Sequence, residues 1–186
     1  MKKLILASAS PRRKQLLKTI APHFQVIESG VKEFDWKDKT YTDNAIWNAY
    51  RKAKKVSAKF PDRLILGADT IVILKAQILG KPKNLKDAKR MLASLSGQAH
   101  EVITGLCLLQ EEPKIRVEFY EITKVKMKRL TPQDIDNYVK KVYVLDKAGS
   151  YGIQENPKII QSIQGSYSNV MGLPVEKLKK ELGKLR

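Results

Sequence analysis

The chain has 186 residues, 42% of them hydrophobic, and 36 Lys plus Arg against 19 Asp plus Glu give a formal charge of +17. That length supports one sizeable core and not two large independent ones, so a single domain over residues 1–186 is expected. No apolar run approaches the ~20 residues of a bilayer span, and the opening Met1-Lys2-Lys3-Leu4-Ile5-Leu6-Ala7-Ser8 lacks the apolar stretch of a signal peptide; a cytoplasmic protein without membrane attachment is expected.

Leu4 to Ala7 reads as a short buried strand, after which Ser10 caps a helix with Pro11 at its first position and Leu16, Leu17 and Ile20 toward the core. A second helix is expected from near Thr42 to before Pro61, with Ile46, Ala49, Ala53, Val56 and Phe60 as its apolar stripe. Leu64 to Leu74 reads as a long apolar strand interrupted by Gly67-Ala68-Asp69-Thr70. Asn84 caps a third helix through Leu95, and Glu101 to Leu109 and Ile115 to Met127 supply further strands. Thr131-Pro132-Gln133-Asp134 opens a helix with Ile135, Tyr138, Val139 and Val142 inward. A polar, Gly-rich segment then leads to a strand over 158–163, and Pro174 starts a terminal helix through Leu182. The alternation implies an α/β fold with a long mixed sheet flanked by helices.

A charge of +17 concentrates polyanions near the surface, nucleic acids and nucleotide phosphates alike. Lysines on polar helix faces, such as Lys52, Lys54, Lys55 and Lys59, more often solvate a face than bind. The lone Cys107 sits in an apolar run, which excludes an internal disulfide and favours a buried, inert thiol.

Two local conflicts point to chemistry. Arg12, Arg13 and Lys14 open the first helix, where the macrodipole opposes cations by about 0.3–1 kcal/mol each. A phosphate against the backbone N–H groups of Ser10 to Arg13 resolves that conflict; the bland reading leaves these side chains in water. Asp69 is the second conflict, because an ionised carboxylate inside an apolar strand needs a metal, a cation or several donors. Alternation places it on the face of Ile65, Gly67 and Ile71, where Gly67 leaves space for a ligand; the bland reading is a carboxylate bonded to backbone at a bulge. Lys81, in Gly80-Lys81-Pro82, follows that strand by a short turn and is expected to return to the same sheet edge. By spacing alone Glu33 and Lys52 read as solvated residues.

Taken together, the motifs resemble the Maf family of septum-formation-associated proteins and nucleotide pyrophosphatases. The segments that carry the resemblance are Leu4 to Arg13, Gly67 to Val72, Gly80-Lys81-Pro82, Leu95 to Gly105, Asp146 to Gln154, and Gly165 to Pro174. They stand in family order and span nearly the whole chain. The resemblance implies a mixed-sheet fold of two lobes around a cleft, like that of inosine triphosphate pyrophosphatases. It also implies a divalent cation, Mg²⁺ or Mn²⁺, and hydrolysis of a nucleoside triphosphate to monophosphate and pyrophosphate. Asp69 matches the family's proton acceptor, and Arg12, Thr70 and Gln154 match positions tied to substrate choice. Ser8, Arg13, Glu33, Lys52 and Lys81 match other polar positions of the cleft, with Glu33 and Asp69 the candidate metal ligands. The form Asp146-Lys147-Ala148-Gly149-Ser150-Tyr151-Gly152-Ile153-Gln154 looks like the branch acting on dTTP and UTP, with modified pyrimidine nucleotides in the same class. Just before it the chain reads Lys141-Val142-Tyr143-Val144-Leu145 where the family usually carries a small residue, Gly and Glu.

The rival reading is a nucleic-acid-binding or division-linked regulator without turnover. Dispersed basic residues and the lack of a nucleic-acid module weigh against it, and Asp69 and Lys81 are both present. Pairing of two copies as a homodimer stays open.

Overall fold

The computed structural model describes residues 4–185; the ends of the expected 1–186 domain, residues 1–3 and 186, lie outside that range. Its strands are β1 (Leu4–Leu6), β2 (Phe24–Val26), β3 (Ile65–Leu74), β4 (Gln77–Leu79), β5 (Ala99–Gln110), β6 (Ile115–Met127) and β7 (Ile160–Gln164). Its helices are α1 (Pro11–Lys18), α2 (Tyr41–Ser57), α3 (Leu85–Leu95), α4 (Pro132–Lys141), α5 (Tyr167–Val170) and α6 (Val175–Lys184).

The strands form one seven-stranded mixed sheet in the order β2-β1-β3-β5-β6-β7, with β4 on β3. β1 runs parallel to β2 and β3, whereas β4 on β3 and β7 on β6 are antiparallel. The α/β class and the mixed sheet flanked by helices are as the sequence implied. The capping chemistry also holds: Ser10 accepts from the Arg13 N–H, Asn84 from that of Asp87, and Thr131 and Asp134 form a reciprocal capping box.

Two compact units divide the chain. The first takes the chain up to Thr70, then Ile103–Glu121 and the stretch from Gly172 onward; the second takes Ile71–Val102 and Ile122–Met171. In the first unit both sheet faces are covered. Leu4, Leu6, Leu66, Ala68, Leu106 and Leu108 pack with Leu17 of α1 and Leu178 of α6, and Ile5, Ile65, Cys107 and Leu109 pack with Ala49, Ala53 and Val56 of α2. Two glycines permit the second contact. A Cβ at Gly67 would overlap the carbonyl of Ala49, and one at Gly105 would overlap the backbone of Ala45 and Ile46. The helix backbone therefore rests on strands β3 and β5 directly. The space expected beside Gly67 for a ligand is filled by α2.

In the second unit Val72, Leu74, Val102, Val125 and Met127 pack with Leu92 and Leu95 of α3 and with Ile135 and Tyr138 of α4. β3 and β4 join through Lys75 and Ala76, both in the left-handed region at φ 48° and 62°. Lys81 thus follows a strand, β4, rather than a simple turn after β3. Among the described residues no helix is long and apolar enough to cross a membrane.

Candidate active site

The parallel pairing of β1 with β3 ends at Leu6 opposite Leu66, and β4 pairs with β3 from Val72 onward. Neither strand pairs with residues 67–71 of β3, so this edge opens at the carboxyl end of β1, where parallel α/β sheets commonly place ligands. Asp69 and Thr70 occupy that stretch and point to opposite faces by alternation.

On the α2 face, Asp69 is 2% exposed and Lys52 is 6% exposed. Lys52 Nζ donates to Asp69 Oδ1 at 2.6 Å, to Glu33 Oε1 at 2.8 Å and to the Ala68 carbonyl at 3.3 Å. One ammonium thus joins two carboxylates, and the expectation that Lys52 solvates a polar helix face is overturned. Its neighbours Lys54, Lys55 and Lys59 are exposed, as expected. Burial pushes the Asp69 carboxyl above the usual Asp range; Lys52 pulls it back down, Glu33 adds to the rise, and Arg13 opposes it. Asp69 lies within the regular strand β3, and Lys52, not backbone at a bulge, is its main partner.

On the α1 face, Arg13 does not point into water. Its Nε donates to the Gly172 carbonyl at 2.8 Å, Nη2 to Thr70 Oγ1 at 2.9 Å and Nη1 to Ser8 Oγ at 3.3 Å. Thr70 Oγ1 also lies 3.0 Å from Thr104 Oγ1. Burial lowers the Arg13 pKa, while Asp69 and then Glu33 raise it, so this guanidinium stands in the field of both carboxylates. It remains charged, as arginine does in proteins. Arg12 is part-buried in the same helical turn.

Ser8, Arg12, Arg13, Glu33, Lys52, Asp69 and Thr70 therefore share the first unit. Lys81 and Gln154 are exposed residues of the second. There, the loop bearing Gln154 is fixed by Lys147, only 5% exposed, whose Nζ lies 2.8 Å from Asp146 Oδ1 and 3.2 Å from Glu155 Oε1. The Gly152 N–H donates to Tyr138 Oη at 2.8 Å. Cys107 is fully buried and its thiol is pushed up to about 12, which fits the inert role expected of it.

Sequence reasoning missed Thr104, the Gly172 carbonyl and two buried amides of α2, Asn44 and Asn48. The amides carried a signal: Asn44, Asn48 and Lys52 recur every four residues, a polar stripe that turns into the protein.

Two carboxylates on one ammonium fit a divalent cation in a particular way. Among the described residues no group of three or more His, Cys, Asp and Glu gathers to form an all-protein cage. Mg²⁺ commonly takes only one or two carboxylates and completes its shell with water and substrate phosphates. Glu33 and Asp69 suit that pattern.

A dTTP/UTP pyrophosphatase of Bacillus cereus (strain G9842) is 46% identical over 183 residues, covering 98% of this chain and 95% of its own length. One of Bacillus anthracis is also 46% identical, with the same coverage. The Ham1 protein of Staphylococcus aureus, at 14% sequence identity, superposes with a TM-score of 0.57 over 100% of both chains, a likeness of fold alone. The family described as Maf-like protein matches residues 3–185, which takes in every site residue named above, and the chain belongs to that family.

Proposed function

We propose that this chain, as one domain over residues 1–186, is a nucleoside triphosphate pyrophosphatase that converts dTTP and UTP to the monophosphate and pyrophosphate. The observation that carries the reading is the buried Lys52 ammonium between Asp69 and Glu33 at the open edge of β3. The names of relatives 46% identical over 98% of the chain support the choice of substrate.

Asp69 takes a proton from the attacking water. Burial raises its pKa, and a base with a raised pKa accepts protons more readily near neutral pH. Lys52 holds that carboxylate in place through Oδ1. Arg13, fixed by Gly172, Ser8 and Thr70, presents its charge without a rotamer search, and Arg12 adds a second guanidinium at the start of α1. A triphosphate would meet two carboxylates here, so Glu33 and Asp69 would hold Mg²⁺ or Mn²⁺, which when bound would neutralise phosphoryl charge and acidify water. Lys81 and Gln154 take the roles of the family positions they match: Lys81 neutralises the departing pyrophosphate, and the Gln154 amide pairs with the adjacent carbonyl and N–H of a thymine or uracil edge. The protein works inside the cytoplasm.

The test is Asp69→Asn, with pyrophosphate release from dTTP and UTP and the melting temperature measured on one preparation. Turnover should fall by about 10² to 10⁴ while the protein stays folded. A folded variant with near-native turnover at saturating cation would remove Asp69 from the chemistry, and the proposed mechanism with it.

A further inference from the structure

Residues 33–36 form a strap along α2, and Glu33 at its start reaches Lys52. Two buried amides of α2 hold the strap by its backbone. Asn48, 2% exposed, accepts from the Phe34 N–H at 3.0 Å and donates to the Phe34 carbonyl at 2.8 Å. Asn44, 1% exposed, accepts from the Trp36 N–H at 2.8 Å and donates to the Trp36 carbonyl at 2.9 Å.

Each amide thus satisfies both backbone groups of one residue, as a neighbouring antiparallel strand does for alternate residues. The spacing agrees. Positions four apart on a helix rise about 6 Å, close to the roughly 6.7 Å between alternate residues of an extended chain. The strap runs antiparallel to the helix, so Trp36, Phe34 and Glu33 meet Asn44, Asn48 and Lys52 in turn. Because α2 rests on β3 and β5 through the windows at Gly67 and Gly105, it is held against the strand that carries Asp69.

We propose that Asn44 and Asn48 are positioning residues that set the Glu33 carboxylate beside Asp69, so that the strap is part of the cation-binding apparatus. This rests on the reading of Glu33 and Asp69 as the ligands of a divalent cation. Neither amide touches substrate; both act through Glu33. Loss of Asn48 frees the strap on the Phe34 side of Glu33, leaving the Arg51 guanidinium that donates to the Lys32 carbonyl at 3.0 Å on the other, and lets Glu33 turn toward solvent, for which its side chain, 38% exposed, has room.

Strap placement can be read without turnover, because one of the chain's two tryptophans, Trp36, lies on the strap and the other, Trp47, lies on α2 with ring centroids 6.3 Å apart. The experiment compares the wild type with Asn48→Ala, Asn44→Ala, Glu33→Gln and Asn48→Ala/Glu33→Gln. Near-ultraviolet circular dichroism reports the tryptophan pair, Mn²⁺ titration by electron paramagnetic resonance without nucleotide reports the cation, and pyrophosphate release reports turnover. Asn48→Ala should change the tryptophan signal, weaken Mn²⁺ binding by about 10- to 100-fold and lower turnover. In the Glu33→Gln background it should add less than about twofold, because a residue that acts only through Glu33 has nothing left to position. Asn44→Ala, at the far end, should act in the same direction more weakly and carries the test if Asn48→Ala does not fold. Native Mn²⁺ affinity in both folded Asn variants, or an undiminished Asn48 effect in the Glu33→Gln background, overturns the proposal. Native Mn²⁺ affinity and turnover in Glu33→Gln itself would instead overturn the ligand reading beneath it.

Discussion

Replacing Lys52 with Met keeps most of the stem and deletes the ammonium that joins Asp69 to Glu33. Glu33 is 38% exposed and can turn to water, so the penalty falls on Asp69, 2% exposed. Breaking a buried ion pair from one side costs about 3–5 kcal/mol, and at roughly 2–4 °C per kcal/mol for a chain of this size the melting temperature should drop by roughly 6–20 °C at neutral pH. The loss should depend on pH with a defined sign. Without Lys52, two effects that lower the Asp69 pKa disappear, and burial with Glu33 drives it further above its unfolded value. The folded state then holds a proton that the unfolded state has released, so stability falls as pH rises. The deficit should be small near the unfolded Asp value of about 3.9 and grow through the raised folded value. Urea unfolding of the wild type, Lys52→Met and Lys52→Met/Asp69→Leu from pH 4 to 8 checks this. The double variant should recover most of the stability while remaining inactive, since apolar replacement of both partners removes the stranded charge. A deficit independent of pH, or a double variant no more stable than Lys52→Met, would refute the account.

Gly67→Ala should destabilise by about 1–3 kcal/mol or more and reduce turnover together, because the added methyl meets the Ala49 carbonyl and pushes Lys52 away from Asp69; unchanged urea midpoints would contradict it. Lys75→Asn with Ala76→Gly should raise stability by about 0.5–1 kcal/mol, since both positions adopt a left-handed conformation that Asn-Gly occupies with little strain; scanning calorimetry should show the gain and pyrophosphate release should stay unchanged. His100, 3% exposed, is lowered to about 4 by burial, so the unfolded state binds the extra proton between roughly pH 6.5 and 4 and stability should decline by about 3 kcal/mol as pH falls through that window. His100→Gln, which still offers Tyr151 a hydrogen-bonding partner, should flatten that slope. Gln154→Ala should erode the preference for UTP over CTP more than it weakens binding of the triphosphate; equal losses for both nucleotides would remove Gln154 from base recognition.

Elements with strong local chemistry were readable in advance. Ser10-Pro11, Asn84 and Thr131 mark helix starts because each side chain caps an N–H three residues on, and β6 follows its pattern to the residue. β2 escaped because three residues with a half-exposed pattern carry no usable period. β4 escaped because its turn is built from Lys75 and Ala76, not from the Gly or Asn that normally announces a left-handed pair. In the site, Asp69 stood out because a charge in an apolar strand is costly in any fold. Lys52 did not, because Arg51, Lys54 and Lys55 surround it in sequence and only the packing of α2 separates the buried cation from the exposed ones. Glu33 entered through the family resemblance alone, for a related reason: the strap that carries it is gripped through its backbone by amides eleven and fifteen positions from Glu33, which no residue pattern advertises.

The glycine windows bear on how well the site keeps its dimensions as the protein warms. Where helices lean on sheets through leucine or isoleucine, the spacing depends on rotamers that hop among wells and on side chains that repack. At Gly67 and Gly105 the helix main chain of α2 lies against the strands with no side chain interposed, so that joint has no torsional slack to release. The separation between the backbones that carry Lys52 and Asp69 is consequently set by peptide geometry, and thermal expansion elsewhere in the core has little purchase on it. A joint of that kind gives up adaptability for constancy of length: its geometry should persist with little drift until the helix itself lets go.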